Sequence, residues 1–198
     1  MTEGVRYRTG GRMTTTLVLG GTRSGKSRYA ESLLDHEAEV TYVATGPQPD
    51  EDDRDWQARV DEHRSRRPQT WTTVESSDVT RAIIGARSPV LVDCLGNWVT
   101  GTFDDAKVWE DRDKALRIMA ERTAELSALW MNAPYDVVAV TNEVGMSVVP
   151  DTASGRLFQE ALGRVNATIS AVTDQVHLVL AGRVMDLSTL PTVPISVV

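Results

Sequence analysis

The chain has 198 residues, a formal charge of −7 and one cysteine, Cys94. That length builds one α/β domain with a sizeable core, and the acidic balance without a long basic run speaks against nucleic acid and against an anionic membrane surface as partners. A lone cysteine excludes an intramolecular disulfide framework and suits a reducing cytoplasm, and no apolar stretch approaches a bilayer span.

Residues Met1 to Arg12 are polar, contain glycine and lack both periodicity and a signal-peptide apolar region. They read as a disordered extension, or translation starts at Met13, and residues 13–198 read as a single domain. Thr15 to Leu19 is a short β-prone run. It leads into Gly20-Gly21-Thr22-Arg23-Ser24-Gly25-Lys26-Ser27, which fits G-x-x-x-x-G-K-[ST], the phosphate-binding loop. Ser27 to Leu34 reads as a helix, so the motif has the strand before it and the helix after it that it needs. The glycines let the backbone approach a phosphate closely, successive N–H groups share one concavity, and the helix N-terminus adds positive potential. Lys26 can reach the β- and γ-phosphates, and the Ser27 hydroxyl can ligate Mg2+.

Val40 to Gly46 is a second strand closed by a Gly-Pro turn. Asp50 to Arg67 is acidic at its start and basic at its end, which suits a helix macrodipole, and Pro68 stops it. Trp56, Val60 and His63 share one side of that helix. Trp71 to Glu75 is a third strand, and Ser77 or Asp78 can cap a helix running to about Arg87. Pro89 to Cys94 is a buried-type strand that ends in an acid, Asp93. Asp104 begins a long helix to about Asn132 with Val108, Leu116, Met119, Leu126 and Trp130 as its apolar stripe. Val137 to Thr141 is the next strand, followed by Asn142-Glu143-Val144-Gly145. A last helix, from about Ser154 to Asp174, presents Leu157, Ala161, Leu162, Val165, Ile169 and Val172. The strand Val176 to Ala181 completes the sheet, and the tail after Gly182 reads as irregular.

Strands alternate with helices, and the strands are apolar runs without strict alternation. This predicts an α/β fold with a mainly parallel central sheet and helices on both faces. Ligands of such sheets sit beyond the carboxyl ends of the strands. The phosphate loop, Thr45, Glu75, Asp93 and Glu143 lie at such ends and are expected to converge on one crevice.

Asp93 stands where it can hold Mg2+ or cap a turn at a strand end. Glu143 is a weaker candidate for the same metal, and can bind substrate or cap a turn instead. His63 reads in two ways: as a satisfied core histidine on its helix stripe, or as a nitrogen nucleophile for phosphorus beside Arg64, Arg66 and Arg67. Those arginines read equally as a solvated helix end. His36 reads as an exposed helix end and His177 as structural.

Several stretches together resemble one family. They are the phosphate loop, Thr41-Tyr-Val-Ala-Thr-Gly46, Arg59-Val-Asp-Glu-His-Arg64, Arg67-Pro68 with Trp71 and Glu75, Val90-Leu-Val-Asp-Cys-Leu95, Val140-Thr-Asn-Glu-Val-Gly-Met146, Val149-Pro150 and Gly163-Arg-Val-Asn166. From about Thr16 to Gly182 the chain is similar to the bifunctional adenosylcobinamide kinase / adenosylcobinamide-phosphate guanylyltransferases of cobalamin biosynthesis. The resemblance implies a RecA-like fold of the P-loop NTPase type and a homotrimer. It implies two reactions. The arm hydroxyl of adenosylcobinamide takes a phosphoryl group from ATP or GTP. The adenosylcobinamide phosphate then takes GMP from GTP through a guanylylated histidine, here His63. It further implies nucleotide contacts from Gly20, Gly21, Thr22, Arg23, Ser24, Gly25, Lys26 and Ser27, from Ala44, Thr45 and Gly46, from Arg64, Ser65, Arg66 and Arg67, and from Glu75 and Asp93, with Mg2+ on Ser27 and Asp93. The chain departs from the family pattern twice. Glu62-His63 stands where some members carry two histidines, and Ser147 follows Met146 where many carry glycine. Two other readings share the loop: a plain small-molecule kinase, and a RecA-type nucleotide switch without corrinoid chemistry.

Overall fold

The computed structural model describes residues 13–48 and 54–193, so the expectation for Met1 to Arg12 and the first residues of the Asp50 helix lie outside the described part. The elements run β1 (Thr15–Gly20), α1 (Lys26–Leu33), β2 (Thr41–Ala44), α2 (Arg54–Arg66), β3 (Thr72–Glu75), α3 (Val79–Gly85), β4 (Val90–Asp93), α4 (Leu95–Ala106), α5 (Arg112–Trp130), β5 (Val137–Asn142), α6 (Ala153–Ser170), β6 (Gln175–Leu180) and β7 (Arg183–Asp186). The strands form one sheet in the order β3-β2-β4-β5-β1-β6-β7. All pairings are parallel except β6 with β7.

The central strands are apolar runs because both of their faces are covered. Leu17, Leu19, Val90, Val92, Val137 and Ala139 pack against α3, α4, α5 and α6. The alternate residues Val18, Leu91, Val138 and Val140 pack against Ala30 and Leu34 of α1 and its end. No helix among the described residues is long and apolar enough to cross a membrane.

Two expectations are corrected. The long helix over residues 104–132 is two helices. The first ends at Lys107 in a left-handed conformation, and the second starts after Asp111, whose carboxylate accepts the Lys114 N–H. Val108, assigned to the stripe of one helix, is instead buried in the connection. The first helix begins at Leu95, earlier than expected. Leu95, Trp98, Val99, Thr102 and Phe103 all face the core at helical spacing, but Gly96, Gly101 and two threonines weaken the local signal.

The tail after Gly182 is also ordered, as the antiparallel edge strand β7. Leu180 pairs with Arg183 across a two-residue turn, Ala181 at φ +50° and Gly182 at φ +73°. This is the primed hairpin turn that follows strand twist. Alanine is strained at its first position, where asparagine is favoured. Ala181→Asn is therefore expected to stabilise the protein by about 0.5–1 kcal/mol, measured as a raised urea midpoint with unchanged slope.

Candidate active site

The phosphate loop leaves β1 at Gly20 and enters α1 at Gly25, which has φ +98°. Only glycine fits position 20: a Cβ there would lie 2.5 Å from the Ser24 Oγ and 2.6 Å from the Val179 carbonyl oxygen. No side chain caps α1, so its first N–H groups remain for an anion. Lys26 Nζ donates to the Gly21 carbonyl at 3.1 Å, which lays the ammonium across the loop. The β6–β7 turn braces the loop from outside, where the Gly182 N–H donates to the Ser24 carbonyl at 3.1 Å.

Beyond the ends of β2, β4 and β5 lies a cavity of about 220 Å³. Lys26 and Ser27 line it from α1, and Asp93 from the end of β4. Pairing of β2 with β4 sets Ala44 beside Asp93, and pairing of β2 with β3 sets Glu75 on its other side. Ala44, Gly46 and Glu75 line the same space. Helix α2 closes it with His63 and Arg64, and with Arg67 just past its end.

His63 is held by charge on one side of its ring. Its Nδ1 lies 3.4 Å from Asp93 Oδ2, 3.7 Å from Glu31 Oε1 and 3.2 Å from Arg66 Nη2. Asp93 Oδ2 also accepts the Tyr42 hydroxyl at 3.0 Å. Burial, then the neighbouring Asp93 charge, hold the Tyr42 phenol far above its ordinary range, so it donates as a neutral group. Asp93 Oδ1 accepts no hydrogen bond among the described residues.

The arginines beside His63 divide. Arg64 bonds Glu75 at 3.1 Å at the cavity rim. Arg66 does not line the cavity. It grips Glu31 of α1 with two bonds of 3.0 and 3.1 Å and Glu62 with one of 2.8 Å, and the Glu31 hydrogen bond raises its pKa further. Arg67 stacks 3.8 Å over the Tyr42 ring, donates to the His63 carbonyl at 2.9 Å and reaches Thr73 on β3. At position 62 the side chain is 55% exposed and turned to Arg66, so position 63 is the one that faces the cavity.

Other expected contacts lie apart from the cavity wall. Gly20, Gly21, Thr22, Arg23, Ser24 and Gly25 shape the loop, with Thr22 and Arg23 exposed. Thr45 is buried, and its hydroxyl bridges the Cys94 N–H and carbonyl at 2.9 and 2.6 Å. Ser65 turns back to the Glu62 carbonyl. Glu143 caps its own turn by accepting the Gly145 N–H at 2.6 Å. His36 is exposed beside Glu37, and His177 is buried against the Tyr29 hydroxyl at 3.0 Å.

The sequence reading missed Glu31, Tyr42, Asn97 and Asn142. Tyr42 shares the face of Ala44 by strand alternation, and Glu31 lies about one turn beyond Ser27 on α1, so both carried a weak signal. Asn97 lies on the unassigned helix α4. Cys94 also lines the cavity, with its thiol pushed up to about 11 by burial and then by Asp93, so it stays protonated at neutral pH.

Residues 16–187 match the family model described as cobinamide kinase / cobinamide phosphate guanyltransferase. The chain is similar to the bifunctional adenosylcobalamin biosynthesis protein CobU of Escherichia coli strain K12, with 38% identity over 176 residues, 84% of this chain and 95% of that protein. The corresponding CobU protein of Salmonella typhimurium is 35% identical, again across 84% of this chain and 95% of that protein. The bifunctional protein CobP of Pseudomonas aeruginosa is 34% identical over 182 residues, 88% of this chain and 98% of that protein. Among solved structures, an ATPase from the type III secretion system of pathogenic bacteria is 11% identical at a TM-score of 0.49. It aligns with 83% of this chain, which spans about half of its length, and the likeness is too distant to bear on function.

Proposed function

The chain belongs to the cobinamide kinase / cobinamide phosphate guanyltransferase family, and from that premise we propose how its residues divide two reactions in one cavity. The protein is a bifunctional enzyme of adenosylcobalamin biosynthesis that phosphorylates cobinamide and then guanylylates the cobinamide phosphate. The observation that carries the division of roles is that one cavity is lined by both the phosphate-loop lysine, Lys26, and an imidazole, His63.

In the kinase reaction the loop N–H groups and Lys26 hold the triphosphate of ATP or GTP. The substrate hydroxyl oxygen bonds to the γ-phosphorus, the bridge to the β-phosphate breaks and the hydroxyl proton is lost. Positioning and charge neutralisation supply most of the acceleration for such a transfer. The Ser27 hydroxyl and the free Oδ1 of Asp93 suit Mg2+, which takes one or two protein oxygens and fills its shell with water and phosphate. When bound, the ion neutralises charge on the phosphates.

In the guanylyl reaction His63 acts as the carrier. For Nε2 to keep its lone pair, the ring proton sits on Nδ1 and is directed to Asp93 Oδ2. Arg66 Nη2, itself a donor 3.2 Å from Nδ1, keeps its bond to Glu31 Oε1 instead. Nε2 bonds to the α-phosphorus of GTP as pyrophosphate leaves. A phosphate oxygen of cobinamide phosphate then attacks, the P–N bond breaks and its electron pair returns to Nε2. Ala44, Gly46, Arg64, Arg67 and Glu75 surround the nucleotide in this reading, and the working form is the homotrimer that the resemblance implies.

Incubation with GTP labelled at its α-phosphorus, without corrinoid, is expected to leave one acid-labile, base-stable label on the protein. His63→Ala is expected to take none. An unlabelled parent protein would make the transfer a single displacement, and a label persisting in His63→Ala would move the carrier to another residue.

A further inference from the structure

Cobinamide is a large corrinoid. Its nearly flat macrocycle is edged with methyl groups and amide arms, and the reacting hydroxyl sits at the tip of one arm. The cavity of about 220 Å³ around His63 and Lys26 is below the roughly 300 Å³ at which pockets for drug-sized ligands begin. It cannot enclose a macrocycle beside a nucleotide. The arm therefore enters, and the ring rests on surface outside the mouth.

One loop that leads away from the cavity after Asn142 exposes apolar side chains. In the loop between β5 and α6, Met146, Val148 and Val149 are 82%, 90% and 67% exposed. Single exposed apolar side chains are ordinary; three within four positions of a braced loop are not. Helix α6 holds this loop from below. Gln159 Nε2 donates to the Val144 carbonyl at 2.6 Å, and Arg156 Nη1 donates to the Pro150 and Asp151 carbonyls at 2.9 and 2.8 Å. The Ser147 hydroxyl donates to the Val144 carbonyl at 2.7 Å. Within the loop the Ser147 hydroxyl bonds back to the backbone, while Met146, Val148 and Val149 project into solvent.

The loop is continuous with the site. Asn142, at the end of β5, lines the cavity, and the Glu143 N–H donates to the Gly20 carbonyl at 3.2 Å. The opposite wall mixes the charged Arg64 and Glu75 with the half-buried Trp56 and Val60 of α2. On the β5 side the apolar side chains Met146, Val148 and Val149 are exposed.

We propose that the loop Val144–Pro150 is the platform on which the corrinoid ring rests, with Met146, Val148 and Val149 as its apolar contacts, while the substrate arm reaches the phosphate loop and His63. The proposal rests on the two-reaction reading above. Those three residues set acceptor affinity and touch neither nucleotide nor reacting phosphorus.

The test is the variant Met146→Ser/Val148→Ser/Val149→Ser, with Val148→Asp as a single-site companion. Three quantities are measured: KM for adenosylcobinamide in the kinase reaction, KM for the nucleotide, and self-labelling from GTP without corrinoid. Both variants are expected to raise the corrinoid KM, the triple by about tenfold or more, and to leave nucleotide KM and self-labelling within about twofold. An unchanged corrinoid KM in both variants overturns the proposal. So does a fall in subunit assembly by sedimentation equilibrium with that KM unchanged, which would assign the loop to a second copy of the chain. Absence of self-labelling in the parent protein strikes the two-reaction reading instead, so the two failures are distinguishable.

Discussion

Lys26→Ala is expected to lower kcat/KM of both activities by about a hundredfold or more, because in the proposed reading both draw on one triphosphate held by one loop. Removing a preorganised cationic donor from a water-poor phosphate site costs about 3–4 kcal/mol of transition-state stabilisation. In the proposed reading Lys26 is the donor in question. It is the first residue of α1, it lines the cavity with Ser27, and its ammonium already lies over the loop at the Gly21 carbonyl. No other lysine lines that cavity among the described residues. Lys26→Arg is not expected to rescue the loss, since a planar fork does not replace a compact ammonium inside a backbone concavity. Calorimetric titration with a non-hydrolysable nucleotide and steady-state rates of each half-reaction measure the effect. Unchanged affinity for both nucleotides would place the triphosphate elsewhere.

Glu31→Gln is expected to separate the two activities. Self-labelling from GTP should slow by about ten- to a hundredfold, while kcat of the kinase falls by less than about threefold. Glu31 projects from the phosphate-loop helix and does two things to α2. It accepts two bonds from Arg66, and it faces His63 Nδ1 at 3.7 Å. The pair is well shielded, with side chains 13% and 22% exposed. Breaking it leaves a guanidinium short of its partner and frees the turn that carries the imidazole. In the proposed division of roles the kinase reaction uses Lys26 and the loop, not the imidazole, so it should survive. Arg66→Lys should fall between, keeping the charge and losing the fork. Equal losses in both activities would mean that this turn of α2 serves nucleotide binding and not the carrier.

The chain by itself determined the phosphate loop, the succession of the six parallel strands β1 to β6 and the helices α1, α2, α3 and α6, because each depends on contacts within a few residues. Strand, glycines and helix N-terminus of the loop are contiguous, and the central strands read as apolar runs since both of their faces are covered. Signals weakened locally failed. Helix α4 carries glycines and threonines inside its apolar stripe, and β7 has no face that is buried.

Only the tertiary structure decided which residues act together. Arg66 and Arg67 are adjacent and chemically identical, yet one clamps α2 to α1 while the other stacks on Tyr42 of β2. Neighbouring residues of a helix turn point about 100° apart, so each meets whatever element packs there. Likewise His63 meets Asp93 because β2 pairs with β4 and α2 lies over their ends. Such meetings are set by strand order and packing across the whole domain, and no local run of residues encodes them.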